Sequence, residues 1–245
     1  MREEREHDTG AAPGRRAPAK SGEVLAQRIQ REIAAAGWPV GERIGTETEL
    51  LQRYQVSRPV LREAVRLLEH HMVVESRRGA GGGLHVTAPD LSTVTETAAL
   101  YLDYLQVRAS ELYSAREVLE SRCIELAVER LTWSGAKRLR EMADRLSRVG
   151  EQELTELDHV AESTIAELSE DPVLILFVKV LLELAHQHPA PVEERLAEKG
   201  RMQVWRSHQL EIVNAVLERD AERARTALLA YLGWAQTYAL KRFRP

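Results

Sequence analysis

The sequence is poor in cysteine, in aromatic residues and in long apolar segments, and each shortage excludes a class of protein. Its single cysteine, Cys123, cannot form a disulfide within the chain, so we expect a small packed residue there. Aromatic residues make up only 5% of the chain, whereas leucine, alanine, glutamate and arginine are abundant, which favours helices over β-sandwiches. Apolar residues make up 44% and charged residues 29%, the balance of a soluble globular protein.

No segment of the sequence has the length and apolarity of a membrane span. The longest apolar run extends from Val173 to Leu182, includes Lys179, and falls short of the roughly 20 residues that a span requires. Residues 1–20 lack the apolar stretch of a secretory signal. We therefore predict that residues 1–20 are a disordered tail and that the protein is cytoplasmic, with no membrane partner.

Three predicted helices follow this tail in close succession. The first is capped by Ser21, ends at Gly37 and has an apolar face that holds Val24, Leu25, Ile29 and Ile33. Thr46 stands three residues before Glu49, the spacing of a capping box, which predicts a second helix over residues 47–54. Ser57 caps the third helix, in whose first turn Pro59 is tolerated because the amide it lacks would be unpaired there.

The third helix combines an apolar face with a basic one and precedes a β-hairpin. Arg58, Arg62 and Arg66 repeat every four residues along the side opposite the predicted core, which holds Val60, Leu61, Ala64, Val65, Leu67 and Leu68. The strand-like segments MVVES and LHVTA flank the glycine-rich turn RRGAGGG. This order of elements predicts a winged helix-turn-helix domain over residues 21–88.

Such a domain predicts a surface for double-stranded DNA. Its second helix enters the major groove, where arginine bonds to guanine or to phosphate, and we place base contacts near the start of that helix. The hairpin glycines allow a close approach to phosphate, and the two arginines beside them reach toward the minor groove. The predicted DNA-contacting residues are Thr46, Thr48, Ser57, Arg58, Pro59, Arg62, Arg66, Arg77, Arg78 and Gly82. Taken alone, the arginine stripe is more typical of a solvated charged face, but the preceding capped helix, the tight turn and the glycine-rich hairpin favour DNA contact instead. Arg66 has Glu63 or Glu69 as alternative partners.

From residue 89 to residue 245 the sequence predicts helices only. The helical stretches cover about residues 91–108, 110–131, 134–149, 151–169, 172–187, 192–218 and 220–242. Short breaks between them favour an antiparallel all-helical bundle around one core. The predicted fold is therefore mainly α, with a winged helix-turn-helix followed by this bundle.

The segment PVGERIGTETELLQRYQVSRPVLREAVRLLEHHMVVESRRGAGGGLHV resembles the DNA-binding domain of GntR-type regulators, above all in SRPVLREAVRLLE and the glycine-rich wing. A helical C-terminal domain of this length resembles the FadR/FCD branch of that family. The resemblance implies a homodimeric transcription regulator, a repressor, whose affinity for a pseudo-palindromic operator changes when a small-molecule effector binds the helical domain. The family commonly has an arginine where this sequence has Thr48, so one expected DNA contact is missing.

The resemblance also implies where an effector or a metal would bind. FCD members with a metal use an aspartate and three histidines, and the matching positions here are Asp158, Glu162, Gln209 and Tyr231. His159 and His208 are each one residue away, and one residue turns a side chain by about 100° around a helix. We predict no tightly held metal, because Asp158 and Glu162 alone would bind a divalent ion only weakly.

Arg116 matches an arginine that similar proteins place in the effector cavity. Two interpretations remain open for it: it holds a carboxylate of the effector, or it forms a salt bridge with Glu120 one helical turn away. Because Glu162, Gln209 and Tyr231 stand where metal-binding members have histidines, the cavity also suits a larger or less acidic ligand. The predicted effector is accordingly a carboxylate or an acyl-CoA.

Two other functions compete with DNA binding. An enzyme would need a nucleophile with a base, a set of metal ligands or a cofactor motif, and none is found, so we predict that the protein is not an enzyme. A helix-turn-helix can instead serve protein contacts without DNA. The predicted exposure of Arg58 and Arg62 disfavours that alternative, because a protein-binding helix more often presents an apolar stripe.

Overall fold

A computed structural model of the chain describes residues 18–79, 81–148, 150, 157, 159–186 and 200–239. These residues divide into two units, one ending at Asp90 and the other beginning at Leu91. No helix in the described ranges is both long and apolar enough to cross a membrane.

The N-terminal unit consists of helices packed beside a small antiparallel sheet with strand order β1-β3-β2. Its elements are α1 (Pro18–Ala35), β1 (Arg43–Gly45), α2 (Glu47–Tyr54), α3 (Arg58–His70), β2 (Val74–Arg77) and β3 (Gly83–Val86). Both predicted helices of the helix-turn-helix and both strands of the hairpin are present. The β1 strand was not predicted, because three residues are too few for a local pattern and the strand exists only by pairing with β3.

Two details of α1 differ from the sequence-based prediction. The helix begins at Pro18, three residues before the predicted cap at Ser21, since proline is tolerated in a first helical turn. Leu25, Ile29 and Ile33 are buried as predicted, but Val24 is 62% exposed. Leu25, Ile29 and Ile33 repeat every four residues, and Val24 lies about 100° around the helix from Leu25.

The joint between α2 and α3 is fixed by local bonds. Thr46 caps α2 in the predicted capping box, and Gln55 ends α2 in the left-handed region with φ of 52°. The Gln55 N–H donates to the Leu51 carbonyl over 3.0 Å, so the chain reverses within two residues before Ser57 begins α3. On the inner side of α3, Leu61, Ala64 and Leu68 are buried, and Val60, Val65 and Leu67 pack half-buried against the same core.

The C-terminal unit is all-helical within the described residues. Its helices are α4 (Leu91–Tyr104), α5 (Ala109–Arg130), α6 (Trp133–Arg148), α7 (Val160–Leu168), α8 (Pro172–His186), α9 (Arg201–Leu217) and α10 (Ala221–Ala239). The central helix α5 packs against α7, α8, α9 and α10. Helix α7 starts after His159, whose φ of 63° departs from the helical region, so the predicted helix over residues 151–169 is not continuous through this position. Residues 151–156 and 158 lie outside the described residues.

The core of this unit is mainly aliphatic. Leu139, Leu146 and Val213 are fully buried in it. Cys123 lies in a smaller cluster with Val178 and Leu182, is 1% exposed, and burial raises the pKa of its thiol to about 11. Cys123 is therefore a small packed residue, as predicted, and its thiol is in the unreactive protonated form at neutral pH.

Candidate functional site

The outer side of α3 carries the arginine stripe. Arg58, Arg62 and Arg66 are all exposed. The Arg62 Nε atom lies 3.8 Å from Glu47 Oε1, an exposed ion pair of the kind worth about 0–1 kcal/mol, so it yields readily to a phosphate or a base. Within the described part of the chain, Arg58 and Arg66 form no ion pair, so the alternative pairing of Arg66 with Glu63 or Glu69 is not observed.

The start of α3 is arranged to accept an anion. Ser57 is the N-cap residue with extended backbone, and its hydroxyl makes no capping hydrogen bond. Both Ser57 and Pro59 are exposed. The first amide groups of a helix point outward without partners inside the helix and carry a partial positive charge. The Ser57 hydroxyl and these amides can therefore donate to a DNA phosphate.

Two threonines at the N-terminus of α2, the cap residue Thr46 and the helical residue Thr48, have different roles. Thr46 is half-buried and its side chain is used in the capping box: its Oγ1 accepts from the Glu49 N–H over 3.3 Å, and its own N–H donates to Glu49 Oε2 over 2.6 Å. The hydrogen bond that the Glu49 carboxylate accepts from the Thr46 N–H lowers the pKa of that carboxyl. Thr48 is exposed and lies on the same helix. The cap holds α2 in place, while Thr48 is presented to solvent.

The β2–β3 hairpin forms a wing with a glycine turn. A Cβ atom at Gly82 would lie 2.8 Å from the Gly79 carbonyl oxygen, so only glycine fits this half-buried position without a shift of the backbone. Arg77 and Arg78 are exposed at the end of β2. The Arg77 Nε donates to Glu75 over 2.6 Å, whereas Arg78 has no ion-pair partner in the part of the chain that the structure describes.

His85 braces this wing and was not predicted as a functional residue. Its Nδ1 lies 3.3 Å from the Gly41 carbonyl oxygen, and its Nε2 lies 3.2 Å from the Gly81 carbonyl oxygen. The ring is 8% exposed and connects the turn of the wing to the loop before β1. A lone histidine in a short strand gives no sequence signal for such a bridge, because both partners are backbone groups.

A second candidate site lies inside the C-terminal unit. Five polar side chains from four helices are 0–4% exposed and converge there, and we call them the buried polar cluster. Its members are Arg116 and Glu120 on α5, Glu162 on α7, Gln209 on α9 and Tyr231 on α10. Four of the five effector residues predicted from sequence therefore come together. The fifth, Asp158, lies outside the described residues.

Ionic and hydrogen-bonding contacts connect this cluster. The Arg116 Nε donates to Glu120 Oε1 over 2.6 Å, and the Arg116 Nη2 lies 3.7 Å from Glu162 Oε1. The Gln209 Nε2 donates to the same Glu162 oxygen over 3.2 Å. The guanidinium carbon also lies 5.2 Å from the ring centre of Tyr113. The salt bridge between Arg116 and Glu120 is thus formed, but it uses only one guanidinium nitrogen.

Several polar atoms of the cluster have no hydrogen-bond partner among the described residues. They are Arg116 Nη1 and Nη2, Glu120 Oε2, Glu162 Oε2 and the neighbouring Ser121 Oγ, and all are buried. Leaving a buried donor or acceptor unsatisfied costs about 1–3 kcal/mol, and more for a charged group. Such a concentration of unsatisfied atoms indicates a place that water or a ligand completes.

The ionisable groups of the cluster differ in how burial and neighbouring charges shift their pKa values. Burial lowers the pKa of Arg116, but Glu120, Tyr231 and Glu162 raise it further, so the guanidinium stays protonated. Burial raises the pKa of Glu120. Burial acts the same way on Glu162, but His159 and Arg116 outweigh it and the pKa of Glu162 is lowered. The guanidinium therefore stays charged, and of the two carboxyl groups Glu120 is the one whose pKa is raised and Glu162 the one whose pKa is lowered.

The two histidines next to the aligned positions lie near the cluster. The His159 Nδ1 is 3.7 Å from Glu162 Oε1, although the helical spacing predicted that it would turn away. His159 precedes α7 in a left-handed conformation, so the rotation expected within a helix does not apply to it. The His208 ring centre lies 6.1 Å from Tyr231 and 5.7 Å from Trp234, which places His208 at the edge of the cluster. Burial lowers the pKa of His208.

The described residues of the cluster do not suit a divalent metal. Glu162 Oε1 already accepts from Gln209 and lies 3.7 Å from Arg116 Nη2. A guanidinium charge so close would repel a second cation. Amide and phenol groups replace the imidazoles that bind transition metals well, and no group of three or more His, Cys, Asp or Glu suited to a metal occurs within the described ranges.

Comparison with known proteins matches both units of the chain to described families. Residues 22–83 match the family described as bacterial regulatory proteins, gntR family, and residues 111–233 match the FCD domain. The Uxu operon regulator of Haemophilus influenzae is 25% identical over 85% of this chain and 77% of its own length. The HTH-type transcriptional repressor NanR of Cronobacter sakazakii is 26% identical over 91% of this chain and 87% of its own.

A solved structure has the same fold. The Streptococcus agalactiae GntR structure aligns with 89% of this chain and all of its own, with a TM-score of 0.68 and 23% sequence identity. The winged helix-turn-helix comes before the helical domain in the chain, which is the order of the two family matches. The chain belongs to the gntR family of bacterial regulatory proteins with an FCD domain, and it is a DNA-binding transcription regulator, not an enzyme.

Proposed function

We propose that the protein acts as a homodimeric repressor that places one α3 helix of each protomer in successive major grooves of a pseudo-palindromic operator. An effector bound in the buried polar cluster then changes operator affinity. The observation that carries this proposal is the α3 surface, where three exposed arginines follow a helix N-terminus with an unused serine hydroxyl. A twofold-symmetric dimer presents two such surfaces to two half-sites about one helical turn of DNA apart.

The roles of the DNA-contacting residues follow from their positions. Arg58 and Arg62 lie in the first turns of α3 and are assigned to base edges, whereas Arg66 lies a turn further along and is assigned to phosphate. Arg78, which is exposed beside the wing glycines, is assigned to the minor groove. Thr46 acts through the α2 cap, which orients the neighbouring Thr48.

Exposed apolar residues in the helical unit support dimerisation through that unit. On α4, Leu100 is 73% exposed and Tyr104 is 78% exposed; on α8, which packs against α4, Val173 is 60% exposed and Phe177 is 51% exposed. Large apolar side chains gathered on the surface commonly mark protein–protein contacts. We assign this apolar face of α4 and α8 to a second copy of the chain, because a dimer held there would display two DNA-binding units.

We assign effector binding to the buried polar cluster without a tightly held metal. The support is the set of buried, unsatisfied polar atoms around Arg116 and the unsuitability of Glu162 as a metal ligand. A ligand that binds more tightly to one arrangement of the two units than to the other shifts the protein toward that arrangement, which is how effector binding would change operator affinity.

Fluorescence anisotropy tests the DNA-binding surface. A labelled fragment from upstream of the protein's own gene is titrated with wild type and with the double variant Arg58→Ala/Arg62→Ala at fixed salt. The matched control is Arg140→Ala/Arg145→Ala, which removes the same charge from exposed positions on α6.

Three outcomes are informative. We expect specific binding by wild type and by the control and its loss in the α3 double variant. Equal weakening of both double variants would mean that only net charge matters, which contradicts the assignment of α3. Failure of wild type to bind any fragment in a genome-wide selection would contradict operator binding itself.

A further inference from the structure

We propose that the buried polar cluster binds a neutral, polyhydroxylated molecule and discriminates against free carboxylates. The proposal rests on the assignment of this cluster as the effector site and adds the chemical class of the effector. Three observations carry it: the kinds of atom left unsatisfied, the charges already present, and the aromatic rings beside them.

The unsatisfied atoms include donors and acceptors together. Arg116 Nη1 and Nη2 are pure donors, Glu120 Oε2 and Glu162 Oε2 accept when ionised, and Ser121 Oγ can do either. A carboxylate ligand accepts only, and an ammonium ligand donates only, so each would leave half of these atoms unsatisfied. A hydroxyl group accepts and donates at once. A molecule with several hydroxyl groups can therefore satisfy both the donors and the acceptors of the cluster.

The charge of the cluster also opposes an anionic ligand. The Arg116 guanidinium is already compensated by Glu120 at 2.6 Å and by Glu162 at 3.7 Å, and all three side chains are at least 96% buried. A ligand carboxylate would be a third negative group in a site that water does not reach. Uncompensated buried charge is costly, whereas a neutral hydroxyl adds none.

Aromatic rings border the cluster. Tyr231 belongs to it, and the ring centres of Trp234 and His208 lie 6.2 Å and 6.1 Å from that of Tyr231. Small-molecule sites commonly pair an aromatic wall with a few converging polar groups, so that the wall covers C–H surface while the polar groups fix the orientation. A polyhydroxylated chain or ring presents both kinds of surface.

Three six-carbon probes that differ mainly in charge test this class: neutral D-glucitol, anionic D-gluconate and cationic D-glucamine. Each is titrated into the full-length protein, and its dissociation constant is obtained by calorimetry and from the rise in unfolding temperature. We expect D-glucitol to bind wild type at least about tenfold more tightly than D-gluconate. D-Glucamine should also bind more weakly than D-glucitol, because its ammonium group would lose its hydration on burial while both carboxylates are already paired with Arg116.

Variants test whether the carboxylates set this preference. Glu162→Gln removes one negative charge, and we expect it to improve D-gluconate binding relative to D-glucitol by about tenfold or more. Glu120→Gln is a second variant, which we also expect to improve D-gluconate binding relative to D-glucitol, in case Glu162→Gln does not fold. The control, Glu129→Gln, also removes one negative charge, but at an exposed position on α5. It should leave the order of affinities for the three probes unchanged.

The outcomes separate this proposal from operator binding. Tighter binding of D-gluconate to wild type, no binding of any probe, or the same change in Glu129→Gln would each overturn the polyhydroxyl assignment. Operator binding is measured by anisotropy on the same samples without probe. If the operator is bound but no probe is, only the ligand class fails; if D-glucitol is bound but the operator is not, the regulator mechanism fails and the ligand class stands.

Discussion

Replacing Arg116 by methionine tests whether the buried polar cluster depends on its guanidinium. The substitution keeps a flexible chain of similar length but leaves Glu120 and Glu162 buried without that cation. Arg116 is fully buried, Glu120 is 4% exposed, and Arg116 Nε lies 2.6 Å from Glu120 Oε1. Removing one partner of such a buried pair costs about 3–5 kcal/mol, because the other charge stays buried and uncompensated. A loss of that size is a large part of the roughly 5–15 kcal/mol that stabilises a typical domain.

The matched control on the same helix is Arg122→Met. Arg122 Nη1 lies 2.7 Å from Glu125 Oε2, but the two side chains are 55% and 48% exposed. An exposed pair of this kind contributes at most about 1 kcal/mol. Both variants are unfolded in urea and followed by far-ultraviolet circular dichroism, at one protein concentration because dimerisation makes apparent stability concentration-dependent.

The pH dependence of this loss follows from Glu120, whose pKa burial raises even in wild type. Without the guanidinium its folded-state pKa rises further above the unfolded one, so the stability of the variant is retained at low pH and lost as the pH rises through the folded-state value. The difference between Arg116→Met and wild type should therefore increase from mildly acidic to alkaline pH. Equal, pH-independent losses in Arg116→Met and Arg122→Met would refute the reasoning from burial.

Three further predictions concern the N-terminal unit. Gly82→Ala should weaken operator binding measured by anisotropy and destabilise the unit by about 1–3 kcal/mol in urea, because the new Cβ would meet backbone oxygen at 2.8 Å, whereas Gly233→Ala, with open space around it, should do neither. Thr46→Ala should cost about 1 kcal/mol of stability through the lost cap, while Thr48→Ala should leave stability unchanged; equal losses would contradict the capping box. Burial and the hydrogen bond to Glu32 raise the pKa of Tyr54 to about 12, so the stability that it contributes is present below its unfolded pKa of about 10 and is lost as the pH rises through about 12. Difference absorbance of wild type and Tyr54→Phe should show this late-ionising phenol only in wild type.

The DNA-binding half of the protein could be predicted largely from local sequence signals. A capping box needs only Thr46 and Glu49 three residues apart, and a basic stripe needs only arginines every four residues on one helix. The wing follows from strand-like residues around glycines. What the sequence did not predict there, β1 and the His85 bridge, depends on pairing with backbone far along the chain, and backbone partners carry no residue signature.

For the helical unit, the sequence predicted the positions of the helices but not the contacts of the buried side chains. Helix positions and the aligned residues Arg116, Glu162, Gln209 and Tyr231 were available from the sequence, but the pattern left open whether Arg116 bonds to Glu120 or to a ligand. The structure contains that salt bridge and also leaves both terminal nitrogens of Arg116 without a hydrogen-bond partner among the described residues.

Residue patterns a few positions long were thus enough to predict the two-part architecture, the exposed arginines of α3 and the order of the helices. Packing between helices, in contrast, sets which polar side chains share a buried site and which of their atoms remain unsatisfied. Glu162 and Gln209 are 47 residues apart in the chain and bonded in the fold. Helical periodicity places a side chain on a face, but packing between helices decides what that face meets.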